Sequence, residues 1–159
     1  IDAGTQIDIG GCKIDILHQD HGNTTSLGFL FNGKFAYSTD VISMSDAVFD
    51  KLTGVDLWIV EALRAEPHSS HSHFAQTFDW IERVKPGRAV LTHLGLDADY
   101  TALAKLCPEN TEPGVDGLHK LLVYLAPPKL RCDTAKQGTG LIGTKRQAGG
   151  QKQYSFFVA

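Results

Sequence analysis

The order of its apolar segments constrains the fold of this chain more than any other feature. Residues 13–17 alternate polar and apolar side chains, and two further apolar runs, 26–31 and 34–39, flank the pair Asn32-Gly33. An Asn-Gly pair between such runs is the strongest short signal for a β-hairpin, because both residues readily adopt a positive φ. The first part of the chain is therefore predicted to contain three strands, of which the last two form a hairpin.

Helical and extended segments alternate after this hairpin. Helices are predicted at 45–52, 74–84 and 97–106, and buried strands at 56–62 and 88–91. Such alternation implies a sheet with helices packed on it, which is the α/β fold class. The pattern weakens beyond Gly117, where 121–125 is a candidate for one more strand.

Composition restricts the class of protein. The chain has 159 residues, 42% hydrophobic and 21% charged, which is ordinary for a soluble globular domain. No apolar run approaches the roughly 20 residues that a membrane-spanning helix needs. The three cysteines have no CxxC spacing, which argues against a disulfide framework or a zinc ribbon and favours a cytoplasmic protein.

The charges divide the chain at about residue 118. Residues 1–118 hold eight basic and seventeen acidic side chains, whereas 119–159 hold seven basic and one acidic. The basic segment is rich in glycine but lacks interleaved aromatic residues, so nucleic-acid binding is not favoured. We expect one domain over 1–118 and a solvated or poorly ordered tail over 119–159.

Ligand-type side chains follow three of the predicted strands. His21, Asp40 and His93 each come directly after an apolar segment. Imidazole and carboxylate groups are preferred ligands of zinc and also suit manganese, and a two-metal site needs a bridging carboxylate. Each residue also has an ordinary alternative, since a histidine at a strand end is often merely hydrogen-bonded and Asp40 could cap a turn. Spacing alone leaves both readings open.

A resemblance to a known family bears on this choice. The motifs that carry it are His21-Gly22, Tyr37-Ser38-Thr39-Asp40, Glu61-Ala62-Leu63-Arg64, His68-Ser69-Ser70-His71, Trp80 to Pro86, Leu91-Thr92-His93, Asp99-Tyr100 and Asp116-Gly117-Leu118. This ordered set resembles the C-terminal half of metallo-β-lactamase-fold hydrolases, in the branch similar to phosphoribosyl 1,2-cyclic phosphate phosphodiesterase. The resemblance covers about residues 13–118 and implies an αββα sandwich, of which this chain would hold a part.

The resemblance also implies roles for particular residues. Asp40 would bridge two divalent ions, zinc or manganese, with His21 as a ligand of the first and His93 of the second. A metal-bound hydroxide would attack a phosphodiester, and the resemblance implies a small, phosphorylated and cyclic substrate. His71 would contact the phosphate and act as general acid. His68 is a second substrate-binding candidate, although a supporting or surface role is favoured for both His68 and His73.

Two departures from the family pattern leave alternatives open. The signature His-x-His-x-Asp-His is not found in the sequence, so the chain offers too few ligands for tight binding of two ions, and its start at Ile1 predicts a missing N-terminal half. The basic tail is longer than the family leads one to expect and could be non-native. The alternatives are a truncated, catalytically dead chain, or a hydrolase of lactones, thioesters or nucleic acids. A homodimer is a further expectation.

Overall fold

A computed structural model describes residues 1–118, of which Ile1–Asp116 form one compact unit. The predicted tail over 119–159, with the candidate strand at 121–125, lies outside the described residues. The strands are β1 (Gln6–Ile9), β2 (Cys12–Asp20), β3 (Thr25–Phe31), β4 (Phe35–Ser38), β5 (Leu57–Glu61), β6 (Ala89–Thr92) and β7 (Thr111–Pro113). The helices are α1 (Asp46–Leu52), α2 (Phe74–Val84) and α3 (Tyr100–Leu106).

The strands form one seven-stranded sheet in which spatial order follows chain order. Strands β1 to β4 pair antiparallel, whereas β4, β5, β6 and β7 pair parallel, and a helix lies in each of the three connections between the parallel strands. A parallel connection needs such a crossover because the chain must return to the same end of the sheet. The predicted α/β class is confirmed.

The turn between β3 and β4 has the geometry that Asn-Gly predicts. Asn32 and Gly33 have φ values of 51° and 66°, and Lys34 N–H donates to the Phe31 carbonyl over 2.9 Å. Two consecutive positive φ values with this hydrogen bond define a type I′ turn. The side chain of Asn32 also accepts from Lys13 N–H, which ties the turn to β2.

The hydrophobic core lies between one face of the sheet and the three helices. Cross-strand partners Leu30, Ala36, Trp58 and Ala89 line this face. From the helices, the buried side chains that join the same core are Val48, Phe49 and Leu52 of α1, Ile81 and Val84 of α2, and Leu103 of α3. All three helices therefore cover the same face.

The opposite face of the sheet carries apolar side chains that no helix of residues 1–118 covers. Pairing places Phe29, Tyr37 and Ile59 side by side on this face, and Phe31 stacks on Phe35 with ring centroids 5.1 Å apart. All five are half-buried. Leu57 and Val90, which strand pairing places on the same face, are buried, so the apolar surface that remains partly exposed there is mainly aromatic.

Some element boundaries differ from the sequence predictions. Strands β1 and β7 were not predicted, because one is largely exposed and the other has only three residues. Helix α3 begins at Tyr100 rather than at 97, since the Asp99 side chain accepts from Ala102 N–H and caps the helix there. Ser45 is the N-cap of α1 as predicted, although its side chain makes no capping hydrogen bond. Within residues 1–118, no helix has the length and apolar character that crossing a membrane requires.

The partly exposed aromatic side chains on the sheet face opposite the helices predict that the 159-residue chain associates with itself, because uncovered apolar patches on soluble proteins promote association. Replacing both Phe31 and Phe35 by Ser should shift the chain towards monomer in size-exclusion chromatography with light scattering. Leu96→Ser is the control, since Leu96 is fully exposed but lies in a loop away from this face. A wild-type chain that is monomeric and melts cooperatively would contradict the prediction.

Candidate functional site

Four strands deliver polar side chains to one edge of the sheet. Strand β2 runs in the same direction as β4, β5 and β6, because two antiparallel pairings separate β2 from β4. The carboxyl ends of all four therefore share one edge, where His21, Asp40, Glu61 and His93 lie at or just after the strand ends. Ligands of open sheets with parallel strands bind at this kind of edge.

Two of these residues have an unusual backbone conformation. Asp40 and His93 both have a φ of 55°, in the left-handed region that non-glycine residues rarely adopt. Such a conformation costs free energy and persists only where surrounding contacts hold it, often at functional sites. It lets both side chains point towards each other, with Asp40 Oδ1 3.9 Å from His93 Nε2.

The orientation of His21 depends on a close approach between two loops. His21 Nδ1 lies 2.8 Å from the Ser70 carbonyl, which fixes Nδ1–H as the donor and leaves Nε2 free. Metal-binding histidines commonly donate their second nitrogen to such a partner. The approach needs Gly22, because it has a φ of 72° and a Cβ there would lie 2.9 Å from the Ser69 carbonyl oxygen.

Glu61, at the end of β5, is a fully buried carboxylate at the centre of the site. It accepts hydrogen bonds from Val41 N–H over 3.2 Å and from Ser72 N–H over 3.0 Å, and His71 Nδ1 lies 2.9 Å away. Both carboxylate oxygens thus already accept backbone donors. While Glu61 is ionised, Nδ1–H of His71 is the third donor to the carboxylate. The other ring nitrogen of His71, Nε2, takes no part in this contact.

His71 lies among the other site histidines. Its ring centroid is 4.7 Å from that of His21, 5.0 Å from that of His93 and 5.0 Å from that of His68. Its Nδ1 is 3.9 Å from Asp40 Oδ1, the same distance that separates this oxygen from His93 Nε2. The structure thus brings all five sequence-predicted site residues into one cluster.

Burial and charge set the protonation of this cluster. Burial raises the pKa of the Glu61 carboxyl to about 7, although the hydrogen bond from Val41 and the nearby His93 oppose the shift. Burial also lowers the pKa of His71, as does His21, while Asp40 acts in the other direction. The pKa of His68 is lowered for the same first reason and by the neighbouring His71. The lowered pKa values of His71 and His68 favour their neutral form, and neutral imidazole is the form that binds metals.

One group of side chains has the geometry to hold a metal ion. Asp40, Glu61, His71 and His93 each offer a ligand atom, and these four atoms lie within 4.8 Å of one another. Glu61 was not among the predicted site residues, although the motif Glu61-Ala62-Leu63-Arg64 contributes to the family resemblance. Its only sequence signal was a carboxylate at the end of an otherwise apolar strand.

His73 and His18 lie outside this group of four ligand atoms. His73 Nδ1 contacts Gln76 Oε1 at 3.2 Å, and His18 is exposed in the middle of β2. The interpretation of His73 as a supporting residue agrees with this contact, while His119 lies outside the described residues. His68 is within reach of the site, but its Nδ1 accepts from Ser70 N–H over 3.3 Å, which supports the loop.

Comparison with known proteins identifies the family. A family model described as a beta-lactamase superfamily domain matches residues 1–94, more than half of the chain. The chain belongs to the beta-lactamase superfamily. This confirms the resemblance to metallo-β-lactamase-fold proteins and agrees with the α/β architecture, and the fold carries with it the expectation of bound divalent metal.

Solved structures of this superfamily are similar to the chain over most of its length. A crystal structure described as a new diphosphatase from the PhnP family has 30% sequence identity and a TM-score of 0.70, covering 74% of this chain and 46% of that one. The metallo-beta-lactamase fold protein YhfI from Bacillus subtilis has 18% identity and a TM-score of 0.61, covering 72% of this chain and 51% of that one.

A third similar structure is the zinc-bound PqqB from Methylobacterium extorquens, with 12% identity and a TM-score of 0.56. It covers 74% of this chain and 53% of PqqB. The chain thus spans about half the length of each of these three structures. No curated protein matches the chain significantly.

Substituting Gly22 tests the loop contact that orients His21. Gly22→Ala should lower the free energy of unfolding and change the His21 imidazole signals in NMR spectra, because the new Cβ meets the backbone of Ser69. Gly33→Ala is the matched control, since Gly33 also has a positive φ, of 66°, but a Cβ there meets nothing within 4 Å. We expect the control to cost about 1–2 kcal/mol from its backbone conformation alone.

Gly22→Ala should exceed that loss by at least about 1 kcal/mol. Equal losses for the two variants, with unchanged His21 signals, would show that the contact between the loops does not position His21.

Proposed function

We propose that the protein is a metal-dependent hydrolase that acts on a small phosphodiester, such as a cyclic one, through two divalent ions. The observation that carries the proposal is the position of Asp40, whose Oδ1 lies 3.9 Å from His93 Nε2 and beside His71, whose ring centroid is 4.7 Å from that of His21. The similarity to a structure described as a diphosphatase supports hydrolysis at phosphorus rather than at the carbonyl carbon of a lactone or thioester.

The donor set suits divalent metal. Asp40 would bridge the two ions, His21 would be a ligand of the first and His93 a ligand of the second. The hydrogen bond from His21 to the Ser70 carbonyl leaves its Nε2 available, as a ligand requires. Zinc and manganese both accept such nitrogen and oxygen donors. When bound, the ions would supply Lewis acidity, which activates water and neutralises charge on phosphoryl oxygens.

His71 would serve as the general acid that protonates the leaving alkoxide. Its Nδ1–H is held by Glu61, so its Nε2 can carry the proton that is transferred. The Glu61 carboxylate fixes the tautomer, while burial and the nearby His21 lower the pKa of His71 and so favour release of the proton. Glu61 acts here through His71 and is a positioning residue.

A polar cleft next to His21 supports a small hydrophilic substrate. Its lining residues are His21, Gly22, Asn23, Thr24, Ser69 and Ser70. Apart from His21, the side chains among them are neutral amides and hydroxyls, which can donate to and accept from sugar hydroxyls or phosphate oxygens. His68, which contacts Ser70, would assist binding from the same loop.

A substrate panel separates this proposal from its rivals. The chain should hydrolyse bis(p-nitrophenyl) phosphate when manganese or zinc is supplied, and should leave lactones and thioesters intact. Preferential cleavage of a lactone or thioester would replace the proposed substrate class. A chain without hydrolysis of any ester, and without bound metal in elemental analysis, would instead be the catalytically dead form.

Removing the bridging carboxylate should abolish turnover. Asp40→Ala is expected to eliminate metal-dependent hydrolysis of bis(p-nitrophenyl) phosphate and to reduce the metal content per chain. Asp46→Ala is the control, because Asp46 is an exposed carboxylate on α1 that pairs with Arg83. Activity retained in Asp40→Ala would refute the bridging role.

The proposed general acid should matter most for poor leaving groups. His71→Gln is expected to slow hydrolysis of alkyl phosphodiesters by roughly 10²–10⁴-fold, a usual contribution of acid catalysis. It should affect p-nitrophenyl esters much less, since p-nitrophenolate needs no protonation to leave. His68→Gln is the comparison and should show no such dependence on the leaving group. Equal losses on both substrates would assign His71 a different role.

A further inference from the structure

A buried glutamine contacts the turn at residues 39–41, which is called the Asp40 turn below. Gln19 is in β2 and is fully inaccessible to solvent. Its Nε2 donates to the Thr39 carbonyl over 2.9 Å and to Ser26 Oγ over 3.0 Å. Ser26 Oγ in turn donates to the Asp40 carbonyl over 2.6 Å. Two consecutive carbonyls of the turn are thus held by side chains from β2 and β3.

The orientation of the Gln19 amide follows from its partners. Ser26 uses its single hydroxyl proton on Asp40, so it can only accept from Gln19. The Thr39 carbonyl is also an acceptor, so the amide nitrogen, with its two protons, must face both. Gln19 Oε1 is left without a hydrogen-bond partner among the described residues. Burying an unpaired acceptor lowers the stability of the fold, so stability alone does not explain a glutamine at this position.

The sheet makes room for this side chain at Gly28. A Cβ on Gly28 would overlap Gln19 Oε1 and lie 3.0 Å from Gln19 Cδ. Gly28 is in the middle of β3 and its φ is not positive, so the backbone conformation does not require glycine there. Space for Gln19 is therefore the physical reason for glycine at this position.

The amide side of the same turn is held by Glu61, which accepts from Val41 N–H. Side chains of β2 and β3 thus bond the carbonyls of the turn, and the side chain of Glu61 on β5 bonds an amide. Asp40 keeps its left-handed φ of 55° between these two sets of contacts. A rare backbone conformation persists only where several contacts hold it together.

From these contacts we propose that Gln19, with Ser26 and the space left by Gly28, forms a clamp that holds the Asp40 turn in its metal-binding conformation. Gln19 is a positioning residue, because it would act on a bound ion only through Thr39 and Ser26, which hold the backbone of the turn. The metal-binding part of this inference rests on the proposed function, whereas the effect on the Asp40 turn does not.

Gln19→Met tests the clamp, because methionine is similar in length and lacks the amide. In the full 159-residue chain it should weaken Mn²⁺ binding, measured by titration calorimetry, by roughly 10- to 100-fold, a usual loss when a group supporting a ligand is removed. Val84→Ala is the control for stability, since Val84 is buried at the far end of α2. Gly28→Ala should weaken binding in the wild type but much less in Gln19→Met, where the amide is already gone.

A measurement without metal separates the effect of Gln19 on the Asp40 turn from its effect on metal binding. Amide hydrogen exchange at Val41 should be faster in Gln19→Met than in Val84→Ala, when both are compared at equal loss of global stability. Unchanged Val41 exchange would overturn the clamp, whether or not Mn²⁺ binds. Faster exchange in a chain that binds no Mn²⁺ would keep the clamp and overturn the proposed function. Mn²⁺ binding that is equal in wild type and Gln19→Met would remove Gln19 from the metal site.

Discussion

The buried carboxylate of Glu61 receives hydrogen bonds from two segments of the chain that are far apart in sequence. Val41 follows β4, and His71 and Ser72 lie in the long connection from β5 to α2. A carboxylate in the interior is costly unless its oxygens are paired, so these segments must meet at Glu61 whenever the fold is complete. The arrangement of the candidate site depends on this one group.

A polar layer at the edge of the sheet surrounds this carboxylate. Ser72 and Thr77 both donate to the Glu61 carbonyl, and Gln19 and Ser26 hold the turn that contains Asp40. The site is therefore built on strand ends whose backbone groups are already paired, rather than on loops alone. Such support lets the chain maintain a left-handed conformation at a ligand-type residue, which an isolated turn would relax.

Local patterns predicted much of the fold. Asn32-Gly33 predicted the hairpin, and the spacing of apolar residues in 74–84 predicted α2 at its observed bounds. Strands β1 and β7 could not be predicted, because their few residues are stabilised by pairing with neighbours rather than by their own periodicity. Tertiary contacts of this kind leave no periodic signal in a short segment.

The candidate site could be predicted only in part. His21, Asp40 and His93 were visible as ligand-type residues after strands, and the family resemblance added His71 and His68. Nothing local distinguishes Glu61 or Gln19 from ordinary polar residues, because their roles come from partners that lie 7 to 20 positions away in sequence. Only the folded sheet brings those partners into contact.

The central claim is that these strand ends assemble a metal site around Asp40. The most direct test is an X-ray anomalous difference map from crystals grown with Mn²⁺. We expect an anomalous peak within coordination distance of the Asp40 carboxylate and of a site imidazole, that of His21 or His93. Manganese bound elsewhere, with no peak at Asp40, would contradict it.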